Sequence, residues 1–385
     1  MAPVYLRRAF ADKSLNFPDI LGGLEMMING TSSDKLKLVA HKIPDAAITL
    51  ASDKALYQSR ELRTTLGFRS FQYTALLMEF LTKVMELLVA SVSLFTDFDA
   101  PAERVLKLAP NLFRVLWDHR NILRCDRMIR EHKRSGRSYD SGEQLIGMSG
   151  ACVVSLTLLH KQVRFVVFSL GSLEASETPL FLHFRSQPPP VHTLQAQLLL
   201  FIWTYGPKHA PHAPLLKEDL ITGLNSILIS TERMKALVKD VVSSTDTTKI
   251  HPDDLTSRFL PLLQSPHELD GSLRIYSLLI QGLGYVPGTF TRVQSHRLHG
   301  IGLAESICIA CQRQLCSGGI EYDDSVLGFC LRNLRLLLPP ETYPGVVSLF
   351  TMTNNSSALV LAGRGLVVAA KDRDEKLYGK VIALL

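Results

Sequence analysis

The chain is poor in cysteine and tryptophan, carries no strong excess of one charge, and has no long unbroken hydrophobic run. Each shortage excludes something. Six cysteines among 385 residues, at no regular short spacing, are too few for a disulfide framework. A reducing compartment, cytoplasm or nucleus, is therefore expected, and the sequons at Asn29, Asn354 and Asn355 carry little weight. The run from Leu76 to Phe95 has the length of a membrane span but is broken by Glu79, Lys83 and Glu86. Leu145 to Leu159 is short and stops at His160 and Lys161. A spanning helix needs about 20 mostly apolar residues, so both are expected as buried helices of a soluble core. The opening Met1 to Lys13 has Arg7 and Arg8 but no apolar core, and Asp12 and Asp19 count against an acid-poor presequence, so no targeting segment is expected. A net charge of +6 is mild for this length and implies no nucleic acid by itself.

What is present is apolar and leucine-rich. Residues of the AVILMFWYC set make up 46% and charged residues 20%, which excludes disorder of the whole chain. Sixty-four residues are leucine, which favours helix over strand. Within residues 71–95, apolar side chains fall at 76, 77, 80, 81, 84, 87 and 88, the spacing of one helix face. Similar stretches run over about 102–132, 143–170, 193–205, 215–240, 252–264, 271–283, 300–316 and 323–338, with two more near 342–352 and 356–371. Strict alternation is nowhere sustained. Residues 163–170 and 359–370 are where β-branched and aromatic content makes strand compete. Before residue 70, short helices are expected over 21–29 and 33–41, bounded by Gly22-Gly23, Asn29-Gly30 and Pro44.

The breaks are chemically legible. Pro101 belongs inside a first helical turn, where its missing N–H costs nothing. The Pro-rich segments 177–191 and 206–214 read as stiff loops, and Pro287-Gly288, Ser317-Gly318-Gly319 and Pro339-Pro340 as further stops. Many loop-to-loop intervals are close to twenty or forty residues. In this spacing the chain resembles an armadillo- or HEAT-type helical solenoid over residues 70–385, although no consensus motif recurs at a fixed period. The fold class expected is all-α, an irregular array of antiparallel helix pairs: an N-terminal cap over 1–70, then a repeat-like domain over 71–385, with 177–192 as the place it would divide. The resemblance implies protein binding on the array's surface and supplies no catalytic residue.

Chemistry-bearing motifs are sparse. His296, His299, Cys308 and Cys311, with Cys316 and Cys330 beyond, have ligand types suited to zinc. Yet Cys308 and Cys311 sit among Ile307, Ile309 and Ala310 in a stretch that reads as continuous helix, so buried core thiols are expected. His209 and His212 lie in a Pro-rich loop without a nearby cysteine. Nucleophile-elbow, phosphate-loop, dinucleotide and HExxH patterns are missing, and Asp253-Asp254 lacks the third acid of a DDxxD motif. Asp253-Asp254 and Asp323-Asp324 fall where helices begin, which helix-dipole complementation explains. No catalytic, cofactor-binding or metal-binding residue is assigned.

One feature stands out. Between 114 and 137, eight basic residues meet three acidic ones. On a helix, Arg120, Arg124, Arg127 and Arg134 form one stripe, opposite Val115, Ile122 and Ile129. The stripe is expected at the surface, where substitutions cost within about 0.5 kcal/mol. It is the candidate contact for a protein partner. The expected function is a non-enzymatic helical scaffold or adaptor. The alternatives are an all-α enzyme with an unrecognised site, or a binder of nucleic acid or anionic headgroups through the stripe. Nucleic acid is disfavoured because aromatic residues for base stacking are lacking beyond Trp117. The chain's final apolar run, 376–385, is expected to fold back onto the array or to dock. The architecture predicts a far-UV circular dichroism spectrum with helix well above the usual third of residues. A spectrum dominated by strand would contradict it.

Overall fold

A computed structural model describes residues 24, 30, 31, 33, 42–58, 77–89, 99–124, 191–205, 231–264, 272–289, 292–293, 297–298, 301–316, 375 and 379. The expected helices over 143–170, 323–338, 342–352 and 356–371, the competing strands, residues 206–214 and the C-terminal run lie outside these. The fold is all-α. The chain forms two compact units, Met1–Ile227 and Leu228–Leu385.

In the first unit, helix α1 (Ile43–Ala51) is entered through Lys42, whose φ of 54° is left-handed, and has Pro44 in its first turn. Pro44 therefore opens a helix, where the sequence reading had it close one. Its fixed φ suits the start, and the N–H it lacks would have no intrahelical partner there. The short α2 (Lys54–Tyr57) follows at once: the Asp53 carboxylate accepts from the Ala55 N–H at 2.9 Å and caps it. The buried Tyr57 hydroxyl donates to the Ala51 carbonyl at 2.7 Å, tying α2 back to α1. Residues 77–89 are helix α3, with Leu77, Phe80, Leu81, Val84 and Leu88 buried on the face the periodicity picked out.

Helix α4 (Asp99–Asp118) buries Ala109, Leu112, Phe113 and Leu116 and packs against α1. Arg104 reaches Asp45 of α1 at 3.5 Å. The helix expected over 102–132 stops at Asp118 and gives way to a 3-10 turn, Arg120–Leu123. The turn buries Ile122 and Leu123. Helix α5 (Val191–Tyr205) packs on α4, and every described side chain on it is buried. A helix apolar all round belongs inside a core. Its buried Thr204 satisfies its hydroxyl by donating to the Leu200 carbonyl at 2.8 Å.

In the second unit, α6 (Thr231–Val241) packs on α8 (Ser272–Gly284), and α7 (Pro252–Gln264) packs on α9 (Leu303–Cys316). Asp253 and Asp254 stand in the first turn of α7, as helix-dipole complementation anticipated. A parallel bridge joins Val242 to Ile250. Two-residue strands β1 (Arg297–Leu298) and β2 (Ile301–Gly302) pair antiparallel just before α9. The Glu305 carboxylate accepts from the Gly302 N–H at the head of α9. Gln264 of α7 donates to the Ser306 hydroxyl at 3.0 Å. After α8 the chain turns at Gly288, whose φ of +69° suits glycine.

Helices α6 and α8 approach each other tightly at Gly282. A Cβ there would stand 2.7 Å from Val238 Cγ2 and 2.9 Å from its Cβ, nearer than side chains pack. Alanine in an open helix position gains about 1 kcal/mol over glycine, but overpacking of this kind costs about 1–3 kcal/mol. Gly282→Ala should therefore lose stability in chemical denaturation. In a Val238→Ala background, where the obstructing methyls are gone, the same change should cost less or gain. A Gly282→Ala chain at least as stable as the parent would show that the helices are not in this contact.

Candidate functional site

The described residues that bring most chemistry together lie where α2, the end of α4, the 3-10 turn and the end of α5 meet. Helix α4 delivers Trp117 and Asp118. The His119 N–H still donates to the Val115 carbonyl at 3.0 Å, after which the Ile122 N–H donates to the His119 carbonyl and the Arg124 N–H to the Asn121 carbonyl. This tightening turns Arg120 back onto the helix it follows. Its Nη1 donates to the Trp117 carbonyl at 2.6 Å, one of the last-turn acceptors that α4 cannot satisfy itself.

The Arg120 guanidinium carbon stands 4.2 Å from the Trp117 ring centroid and 5.8 Å from that of Phe201 on α5. Trp117 meets Phe201 edge-on at 6.2 Å and 81°. Phe201 meets Tyr205 at 4.8 Å. Arg124 closes the row with its guanidinium carbon 3.8 Å above Tyr205. Two guanidinium groups therefore lie on a row of three rings across the α4–α5 seam. Each cation–π contact is worth about 0.5–2 kcal/mol and each ring pair about 0.5–1.5 kcal/mol beyond area burial. The Arg124 Nε is buried and has no hydrogen-bond partner.

On the α2 side, the His119 imidazole stacks on Tyr57 at 5.1 Å and 11°. Lys54 and Asp118 flank it, 3.9 Å from each other. Burial pushes the His119 pKa below the ordinary imidazole value; the Asp118 charge opposes that shift and Lys54 adds to it.

Arg120 and Arg124 are thus brought together, but off a helix and half-buried on rings. The single helical stripe is corrected at these two positions; Arg127 and Arg134 lie outside the described residues. Phe201 and Tyr205, the partners of the arginines, went unnoticed in the sequence because they sit far along the chain in an apolar run.

Other candidates carry less. Cys308 lies buried within α9, as the helical reading expected. His209, His212, His296, His299 and Cys330 lie outside the described residues, among which no group of three or more metal-ligating side chains forms. His251 Nδ1 accepts from the Asp253 N–H at 3.4 Å, and Arg292 Nε reaches the Asp253 carboxylate at 2.9 Å, together closing the first turn of α7. Tyr285 is 57% exposed beneath Lys235 Nζ at 4.2 Å, a single surface ring of an ordinary kind. Among the described residues, no helix is long and apolar enough to cross a membrane.

Compared with protein-family models, curated proteins and solved structures, the chain matches none.

Two expectations follow from this geometry. Arg120→Glu together with Arg124→Glu loses two cation–π contacts and a carbonyl cap, so the melting temperature should fall by the equivalent of about 2 kcal/mol or more. A loss within about 0.5 kcal/mol would return both residues to an ordinary surface. The depressed His119 pKa favours the neutral ring in the folded state. Its contribution is full above about pH 6.5, the unfolded value, and is lost as pH falls through the lower folded value. His119→Phe keeps the stack and removes the titration. The difference in melting temperature between parent and variant should move against the parent on acidification; a constant difference would contradict the assignment.

Proposed function

We propose that this chain is a non-enzymatic helical scaffold that binds another protein, with its helix pairs arranged as an irregular, solenoid-like array. The observation that supports the reading is the pair of arginines stacked on a row of aromatic rings at the end of α4 and α5. Arginine held on a ring face loses little freedom when it meets a partner, and arginine, tyrosine and tryptophan dominate the energetics of protein interfaces. The stripe continues in sequence to Arg127 and Arg134, so the partner surface proposed is Arg120, Arg124, Arg127 and Arg134 facing an acidic protein segment. Nucleic acid is the weaker occupant. Phe201 and Tyr205 are buried, so neither ring lies open to a base. The same reading has the protein in the cytoplasm or nucleus, supported by its sparse cysteines.

The test is affinity purification of the full chain from its native cells, followed by mass spectrometry and repeated with Arg127→Glu/Arg134→Glu. We expect a protein in near-stoichiometric amount, resistant to nuclease, lost at high salt and absent with the variant at unchanged melting temperature. Recovery only of nuclease-sensitive material, or no protein at all, would refute the scaffold reading.

A further inference from the structure

We infer that Arg124 is the residue that grips a carboxylate on the partner's acidic segment; the inference rests on the scaffold reading and sharpens it to one side chain.

The Arg124 backbone N–H is spent on the Asn121 carbonyl at the end of the 3-10 turn. Its guanidinium lies 3.8 Å over Tyr205, a ring itself fixed by Phe201 at 4.8 Å on a helix whose described side chains are all buried. One face of the planar group is therefore occupied and its orientation set. Arg120, its neighbour one turn earlier, uses the equivalent cation differently: it donates to the Trp117 carbonyl. Among the described residues, no hydrogen bond engages the guanidinium of Arg124. Its Nε, like that of Arg120, is shut off from water without an acceptor, so what sets Arg124 apart is that its Nη groups are not donated to a carbonyl. The nearby carboxylate at the end of α4, Asp118, is 3.9 Å from Lys54 on the α2 side.

A buried N–H of a charged group without an acceptor is costly, so native proteins leave few of them unexplained. Stacking on Tyr205 offsets part of that cost without supplying an acceptor, because a ring beneath the plane leaves the in-plane N–H groups unused. Stacking and the burial of Nε fix the plane of the group and leave its Nη groups for an acceptor arriving from outside. The fork of a guanidinium matches the two oxygens of a carboxylate, and the pair is strongest where one group is already fixed. The half-buried side chain keeps part of its surface in contact with solvent, through which a ligand can approach. The ligand class is a glutamate or aspartate side chain on an extended protein segment. Tyr205 and Phe201, the rings nearest Arg124, are buried, so a nucleotide would gain the charge contact but no stacking on them.

The test uses the full chain with 15N-labelled arginine. A buried Nε–H exchanges slowly with water and gives an observable side-chain NMR signal, assigned to Arg124 by its loss in Arg124→Lys. The probe is a hexaglutamate peptide at low salt, with hexauridylate as comparison. We expect the Arg124 signal to shift saturably with hexaglutamate. Arg124→Lys, which keeps the charge but not the fork, should weaken that affinity at least about tenfold. An unmoved signal at excess peptide would overturn the proposal. So would equal binding by Arg124→Lys, or hexauridylate moving the signal at lower concentration than the peptide. Should Arg124→Lys fold poorly, the parent's titration still decides. The outcomes separate from those of the scaffold reading. A cellular partner held equally by parent and Arg124→Lys would keep the scaffold and remove Arg124. A shifting signal without any cellular protein partner would remove the scaffold alone.

Discussion

Two guanidinium groups lying on aromatic rings fasten the end of α4 to the end of α5, and the candidate site of the first unit is built on that contact. Without Arg120 over Trp117 and Phe201, the last carbonyls of α4 would lose a donor and a cation at the negative end of the helix dipole. Without Arg124 over Tyr205, the 3-10 turn would lose its anchor to the buried helix. The turn in turn places His119 against Tyr57 and sets Ile122 and Leu123 into the core. A few cation–π contacts of about 0.5–2 kcal/mol each are small beside the burial of an entire apolar helix. Their importance is directional. Apolar burial attracts α4 to α5 at any register, whereas a guanidinium above one particular ring selects one.

The second unit uses a different constraint. There the register of α6 on α8 is set by a missing side chain, since Gly282 alone lets Val238 approach so closely. Its polar contacts finish the ends of helices: Glu305 at the head of α9, Arg292 and His251 around Asp253 at the head of α7. Among the described residues, Glu305, Asp253 and Arg292 are thus engaged at helix termini of their own unit.

How far the sequence could be read depended on the range of the interactions involved. Helices α5, α7, α8 and α9 were legible because their limits are local: Pro252 with two acids opens α7, and Gly284 ahead of Pro287-Gly288 closes α8. Helix α1 was missed because Pro44 was taken for a stop when it occupies the first turn. The two-residue strands β1 and β2 are too short to show alternation. The run over 102–132 kept its amphipathic spacing past Asp118, so nothing local marked the end of α4. That end depends on Phe201 and Tyr205, contributed by a distant segment. The basic residues of the site were legible as a cluster, but their packing was not. Charge is visible in sequence, whereas the ring beneath a guanidinium is a tertiary fact.

The most direct test of this account is a double-mutant cycle across the seam, with Arg124→Leu, Tyr205→Leu and both together, read by chemical denaturation. The contact predicts a favourable coupling of about 0.5–2 kcal/mol, so that the second substitution costs less once the first is made. Strictly additive losses would contradict it, since they would mean that the guanidinium and the ring stabilise the chain independently and that Arg124 does not lie on Tyr205.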